Sequence, residues 1–299
     1  VNLGEHLAML ARSTSPEGKP ALVVQGGAMR GIYSMGALAE LEDAGLRDAF
    51  GVVVGSSAGA INGAFFLAGQ AGLGLQIYLE DLVTRRFINS RRLWRVVDVD
   101  YLVDDIIRVR RPLDLDAIKA APMDLLIVLT DAETGEAHVV STRDGHDLFE
   151  VLRATSALPA LYNKRITLDG RQYIDGGIVA PVPVEQALAT GREALVVMTR
   201  AFDFKQDDLS AALRRLGRWM AYGHKPFVKD NISRPSVPYS RLLARLKVEH
   251  TREPRTTWTV APELMPTART TISAQTLRET ADLGRRDLRT MLETEYRPG

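Results

Sequence analysis

The stretch GVVVGSSAGAINGAFFLAG, residues 51–69, opens on a β-branched run, turns through glycine and serine, and continues in small and apolar residues at helical spacing. Val52, Val53 and Val54 make an unbroken apolar run, which a strand covered on both faces requires. Ala58, Ala60, Ile61, Ala64, Phe65 and Leu67 then suit a helix laid against a sheet. Upstream the same order recurs: ALVVQ at 21–25, a glycine turn GGAMRG at 26–31, and apolar residues at helical spacing from Ile32 to Ala44. A βαβα opening with continuously apolar strands predicts an α/β fold with a mostly parallel central sheet. In such sheets ligands bind at the carboxyl ends of the strands, where both turns lie.

Further strands are predicted at DLLIVLT (124–130), AHVVS (137–141) and ALVVMT (194–199). Within RITLDGRQYI (165–174), Asp169-Gly170 separates two alternating runs as a tight hairpin does, and the second run leads into Asp175-Gly176-Gly177. From Asp207 onward the chain reads as mostly helical and basic, broken by Pro226, Pro235, Pro238 and Pro254. The simplest division is a polar lead-in at 1–20, a core at 21–200, and a mostly helical part at 201–299 packed on the same domain.

Composition narrows the chemistry. With 38 basic and 37 acidic residues the net charge is +1, which lacks the surplus that drives nucleic-acid binding. There is no cysteine, so thiolate nucleophiles, disulfides and cysteine-bound zinc are excluded. The opening residues do not read as a secretory signal, and a cytoplasmic protein is expected. The uncharged window from Gly51 to Leu79 is long enough to span a bilayer, but its serines, amides and glycines favour a buried strand, turn and helix.

GSSAG at 55–59 fits G-x-S-x-G, in which a sharp strand-to-helix turn exposes a serine hydroxyl. Gly55 and Gly59 leave room for that turn, and the following helix brings its free amides and positive end toward the reacting oxygen. Ser57 is therefore a candidate nucleophile. GGAMRG also joins a strand to a helix, where clustered amides can bind an anion or an oxyanion. A dinucleotide-binding loop would want glycine in place of Ala28 and an acid closing the second strand, and this chain has neither. Asp175 ends a strand before two glycines and could serve either as a turn residue or as a fixed carboxylate. Of the histidines, only His224 and His250 follow it, and only one strand is predicted before residue 50, ahead of the strand that leads into the serine turn, so a Ser-His-Asp arrangement fits poorly. A Ser57 and Asp175 dyad is the economical alternative, with aspartate made basic by desolvation.

These residues resemble the bacterial patatin-like phospholipases: QGGAMRG, then GSSAG, then RATSALPALY at 153–162, then DGG at 175–177, in that order. The resemblance implies a three-layer α/β/α fold and a lipid or other ester substrate cleaved through an acyl-Ser57 intermediate with Asp175 as base. It also implies an oxyanion hole from Gly26, Gly27, Ala28, Arg30 and Gly31, with Gly176 and Gly177 shaping the acid turn, and no metal or other cofactor. Ser156, Ala157 and Pro159 would line the site. The chain departs from the family's usual loop at Gln25, where an acid is frequent, and at Ala28, where glycine is most frequent. Alanine would keep the backbone donors in place if its φ were negative. A lipid-binding or regulatory protein that keeps the fold without turnover is the alternative reading.

Between Tyr78 and Pro112 lies an arginine-rich stretch that reads as a helical, partly surface insertion. Arg85, Arg86, Arg91, Arg92 and Arg95 with Trp94 suit peripheral contact with an anionic membrane surface. Asp81, Asp98 and Asp100 nearby suit a solvated face held by internal ion pairs instead.

Overall fold

The computed structural model describes residues 1–15, 18–92, 95–190, 193–202, 219, 223–228, 242–248 and 256–296. Strands β1 (Ala21–Val24), β2 (Val52–Ser56), β3 (Asp124–Asp131), β7 (Ala194–Val197) and β8 (Thr257–Val260) form a parallel sheet in the order β3-β2-β1-β7-β8. β4 (Ala137–Ser141), β5 (Ile166–Leu168) and β6 (Arg171–Asp175) join it antiparallel. Along β1, Leu22 and Val24 enter one apolar core while Ala21 and Val23 enter a second on the opposite face. This period-two division explains the unbroken apolar strands, since both faces are covered. Mixed but mostly parallel, with helices on both sides, the sheet has the expected architecture.

Helices α1 (Leu3–Arg12), α2 (Gly31–Asp43), α3 (Ala58–Leu67) and α4 (Ala71–Gln76) come first in the chain, followed by α5 (Leu115–Ala120), α6 (Leu148–Thr155), α7 (Val184–Leu188) and α8 (Ala274–Leu292). α8 lies so close to α2 that a β-carbon at Gly36 would stand 2.9 Å from the Ala281 carbonyl carbon, and one at Gly284 would stand 3.0 Å from that of Tyr33. Asp287 accepts the Tyr33 hydroxyl at 2.7 Å across this contact, and Arg285 and Arg289 pair with Glu40. The C-terminal part thus carries the expected helix, but it also adds β8, which the sequence reading missed. TWTV is only four residues long, and its core-facing Trp258 and Val260 alternate with threonines that are buried as well. The window from Gly51 to Leu79 divides into β2, α3, α4 and the start of a π-type turn (Ile77–Asp81), and among the described residues no helix is long and apolar enough to cross a membrane.

The segment after α4 is partly helical and partly on the surface, as expected, while its apolar side enters the core. The π-type turn at 77–81 and a π-type helix, Tyr101–Arg110, place Tyr78, Leu82, Phe87, Val97 and Val99 in the main core. Its arginines pair at the periphery: Arg86 with Asp105, Arg92 and Arg95 with Asp98, Arg95 with Asp100, and Arg110 and Arg111 with Asp81. Arg153 from α6 clamps the segment through Asp100 at 2.5 Å and Asp104 at 2.7 Å. Trp94, Arg214, Arg215, Arg218 and His250 lie outside the described residues.

Candidate active site

β3 brings the site together. Its edge pairs first with β2, ending at Ser56 opposite Val128, and then with β6, where Asp175 stands opposite the next residue, Leu129. β4 takes the other edge, so β6 continues the line that β2 leaves. Ser57 and Asp175, distant in sequence, therefore meet at adjacent positions along one strand edge, and the Ser57 hydroxyl donates to Asp175 Oδ2 at 2.8 Å. The Asp169-Gly170 hairpin delivers the acid, with positive φ at both residues as a two-residue turn of its type requires.

The serine turn is under strain. Ser57 has φ 54° and ψ −136°, a conformation that L-residues adopt only when their surroundings enforce it. Its neighbours supply that constraint: a β-carbon at Gly55 would stand 2.8 Å from the Ala60 backbone, and one at Gly59 would collide with β1 at Val24 and Gln25. The Ser57 amide donates to Thr155 Oγ1 at 2.9 Å, and the Thr155 hydroxyl donates on to the Val128 carbonyl at 2.7 Å.

The loop from Gly26 to Gly31 abuts this turn. A β-carbon at Gly26 would lie 2.8 Å from Ser57 Cβ and 3.2 Å from the Ala58 amide nitrogen. Among the described residues the amides of Gly26, Gly27 and Ala28 donate to no protein acceptor, so they are available to a charge developing beside Ser57. The buried Arg30 guanidinium packs on Gly27, where a β-carbon would come within 3.1 Å of Nε. Gly31 opens α2, and Asn62 of α3 donates to its carbonyl at 2.8 Å while accepting the Tyr78 hydroxyl at 3.1 Å. Ala28 corrects the expectation of a negative φ: it sits at 52°, in the left-handed region where glycine is unstrained. Gln25 also finds a use, because its Oε1 accepts the Thr199 amide at 2.7 Å while Thr199 Oγ1 donates to the Gly26 carbonyl at 2.5 Å. Thr155 was given no role in the sequence reading although it lies in the quoted RATSALPALY stretch, and Thr199, Asn62 and Tyr78 escaped it because no local motif marks side chains that act across the fold.

Asp175 is 2% exposed. Burial raises its carboxyl to about 6, against the lowering effects of the Ser57 hydroxyl, the Gly177 amide and the charge of Arg269. The Gly177 amide reaches Oδ1 at 2.7 Å, which leaves Oδ2 for the serine. Gly176 packs on β3 so tightly that a β-carbon would strike the Val128 carbonyl. A carboxylate of this basicity, bonded to a serine hydroxyl, can take up the serine proton near neutral pH. His224 stands elsewhere, its Nε2 at 2.7 Å from Asn163 Oδ1, and it is absent from the cavity wall. Among the described residues no cluster of histidine and carboxylate side chains could hold a metal ion. A cavity that is partly open to solvent is walled at one place by Ser57 and Asp175 and is otherwise lined mainly by apolar side chains. Ser156 lines it, as expected, whereas Ala157 and Pro159 do not; the Ala157 carbonyl instead accepts the Asp175 amide at 3.1 Å.

Comparison with known proteins shows the family and the fold. The uncharacterized protein YjjU of Escherichia coli K12 is 29% identical over 227 residues, which make up 74% of this chain and 62% of that protein. The crystal structure of VipD from Legionella pneumophila matches with a TM-score of 0.54 over 92% of this chain and 67% of that one; at 14% identity the likeness is one of fold. The family model of the patatin-like phospholipases matches residues 22–188, and this chain belongs to that family.

Proposed function

We propose that the protein is a serine acyl hydrolase that cleaves a lipid carboxylic ester. Ser57 attacks the ester carbonyl while Asp175 takes its proton. The amides of Gly26, Gly27 and Ala28, with that of Ala58, hold the oxyanion, and Arg30 keeps the loop in place. Asp175 returns the proton to the departing alcohol, and water, activated by the same carboxylate, then releases the acid from Ser57. Each oxyanion donor is worth about 3 kcal/mol of transition-state stabilisation. The observation that carries this reading is the 2.8 Å bond from Ser57 to an Asp175 whose carboxyl is raised to about 6.

Contact with an anionic membrane surface belongs to the same proposal, since the substrate is drawn from lipid. Arg85 and Arg91 are exposed beside the ion-paired arginines and would make that contact. Flotation with neutral and anionic vesicles tests it, and equal binding to both would remove it.

The decisive experiment is intact mass after treatment with a fluorophosphonate, on the parent and on Ser57→Ala. One adduct on the parent, absent from the variant, is expected. A folded parent without an adduct at any pH, with lipid present, would favour a lipid-binding protein without turnover.

A further inference from the structure

The cavity at Ser57 can be followed along α3. On α3 its lining positions are Ala58, Ile61, Asn62 and Phe65, which share one helix face over two turns. At ~1.5 Å per residue this face follows the cavity for about 10 Å from the serine. No residue of α3 beyond Phe65 lines it. α2 starts beside α3, since a β-carbon at Gly31 would stand 3.1 Å from Ala58 Cβ, and both helices follow neighbouring parallel strands back along the sheet. Met35, just over one turn into α2, also lines the cavity and fills the space that a side chain on Gly74 would occupy, its sulfur 2.8 Å from that β-carbon position.

The inner part is apolar. Leu82, Phe87, Val99 and Ile107 of the segment after α4 complete its wall, and Asn62 is already bonded to Gly31 and Tyr78. The charged lining residues are Asp175 beside Ser57, Arg30 of the loop at 26–31, Arg200 just after β7 and Arg269 between β8 and α8.

We propose that the inner cavity holds the acyl chain of the scissile ester and that Phe65 and Met35 stop that chain at about eight to ten carbons, given an advance of ~1.25 Å per bond for extended tetrahedral carbon. The proposal rests on Ser57 as the acyl acceptor. Ile61, midway along the face, is a wall that a larger side chain would turn into an earlier stop.

Two measurements test the length limit, one with and one without turnover. Binding of saturated fatty acids from six to sixteen carbons to Ser57→Ala is expected to tighten about fourfold per methylene and then level off near eight to ten carbons. Hydrolysis of the matching p-nitrophenyl esters by the parent is expected to peak at the same length. Phe65→Ala should move both break points at least two carbons longer, and Ile61→Phe should move them shorter. Phe65→Leu is the milder alternative should Phe65→Ala not fold. Affinity that climbs smoothly to sixteen carbons, or a break point that stays in place in folded variants of both kinds, would overturn the proposal. Binding with the predicted break but no acylation of the parent would instead overturn the hydrolase reading and leave the length limit standing.

Discussion

The hydroxyl of Thr155 accepts the Ser57 amide at 2.9 Å and passes its own proton to the Val128 carbonyl at 2.7 Å. One side chain at the end of α6 thereby ties the strained serine turn to the strand edge where β2 ends and β6 begins. The Ser57 amide is engaged there, so in the proposed mechanism the oxyanion donors are those of the neighbouring loop and of Ala58. Thr155→Val should leave the buried Ser57 amide and Val128 carbonyl without partners, at a cost of about 1–3 kcal/mol for each group left unpaired. Thr155→Ser should recover most of the loss. Ester kcat and urea denaturation, measured together, check this: a fall in kcat beyond any fall in stability, rescued by serine, marks a positioning residue.

As the proposed base, Asp175 should govern the pH profile. The carboxyl must be ionised to accept the serine proton, so kcat/KM is expected to rise with pH through about 6 and then level off. A profile flat from pH 5 to 8 would contradict it.

The same group makes stability depend on pH in the opposite sense. Its value rises from 3.8 when unfolded to about 6 when folded, so its contribution is fully present below 3.8 and is lost as pH rises through about 6. Asp175→Asn removes a buried charge and should abolish turnover while raising stability at pH 8 by about 1–3 kcal/mol. Paired melting curves at pH 5 and pH 8 read this out; a variant equally stabilised at both would contradict it.

Ala28 sits at φ 52°, which costs an L-residue roughly 1–2 kcal/mol. Ala28→Gly should relieve that strain without loss of fluorophosphonate labelling. Ala28→Val, β-branched at positive φ, should slow labelling at least tenfold. Labelling rates on the three proteins decide whether the backbone at this position holds the oxyanion.

His224 is bonded to Asn163 and lies off the cavity wall. His224→Ala should keep ester kcat within a few-fold of the parent. A large fall in a folded variant would argue for a histidine in the proton path.

Much of this was legible before any coordinates. The valine runs, glycine turns and following apolar residues marked β1, α2, β2 and α3, because strands buried on both faces and helices packed on them leave strong local patterns. The Asp169-Gly170 hairpin was equally plain, since a two-residue turn demands particular residues. β8 was not, because its four residues carry their meaning only beside β7. The arginine-rich segment was legible only in part for a related reason: its charges are conspicuous in sequence, whereas its apolar side lines a cavity built mostly by other elements.

By itself the sequence determined the residue types at each turn, the succession of strands and helices along the chain around the serine, and the absence of any thiol chemistry, all of them properties of short windows or of composition. Only the tertiary structure decided that Ser57 and Asp175 touch, because their meeting depends on β6 taking over the edge of β3 where β2 stops. It alone also raised Asp175 to about 6, since desolvation comes from the packed surroundings and not from the residue.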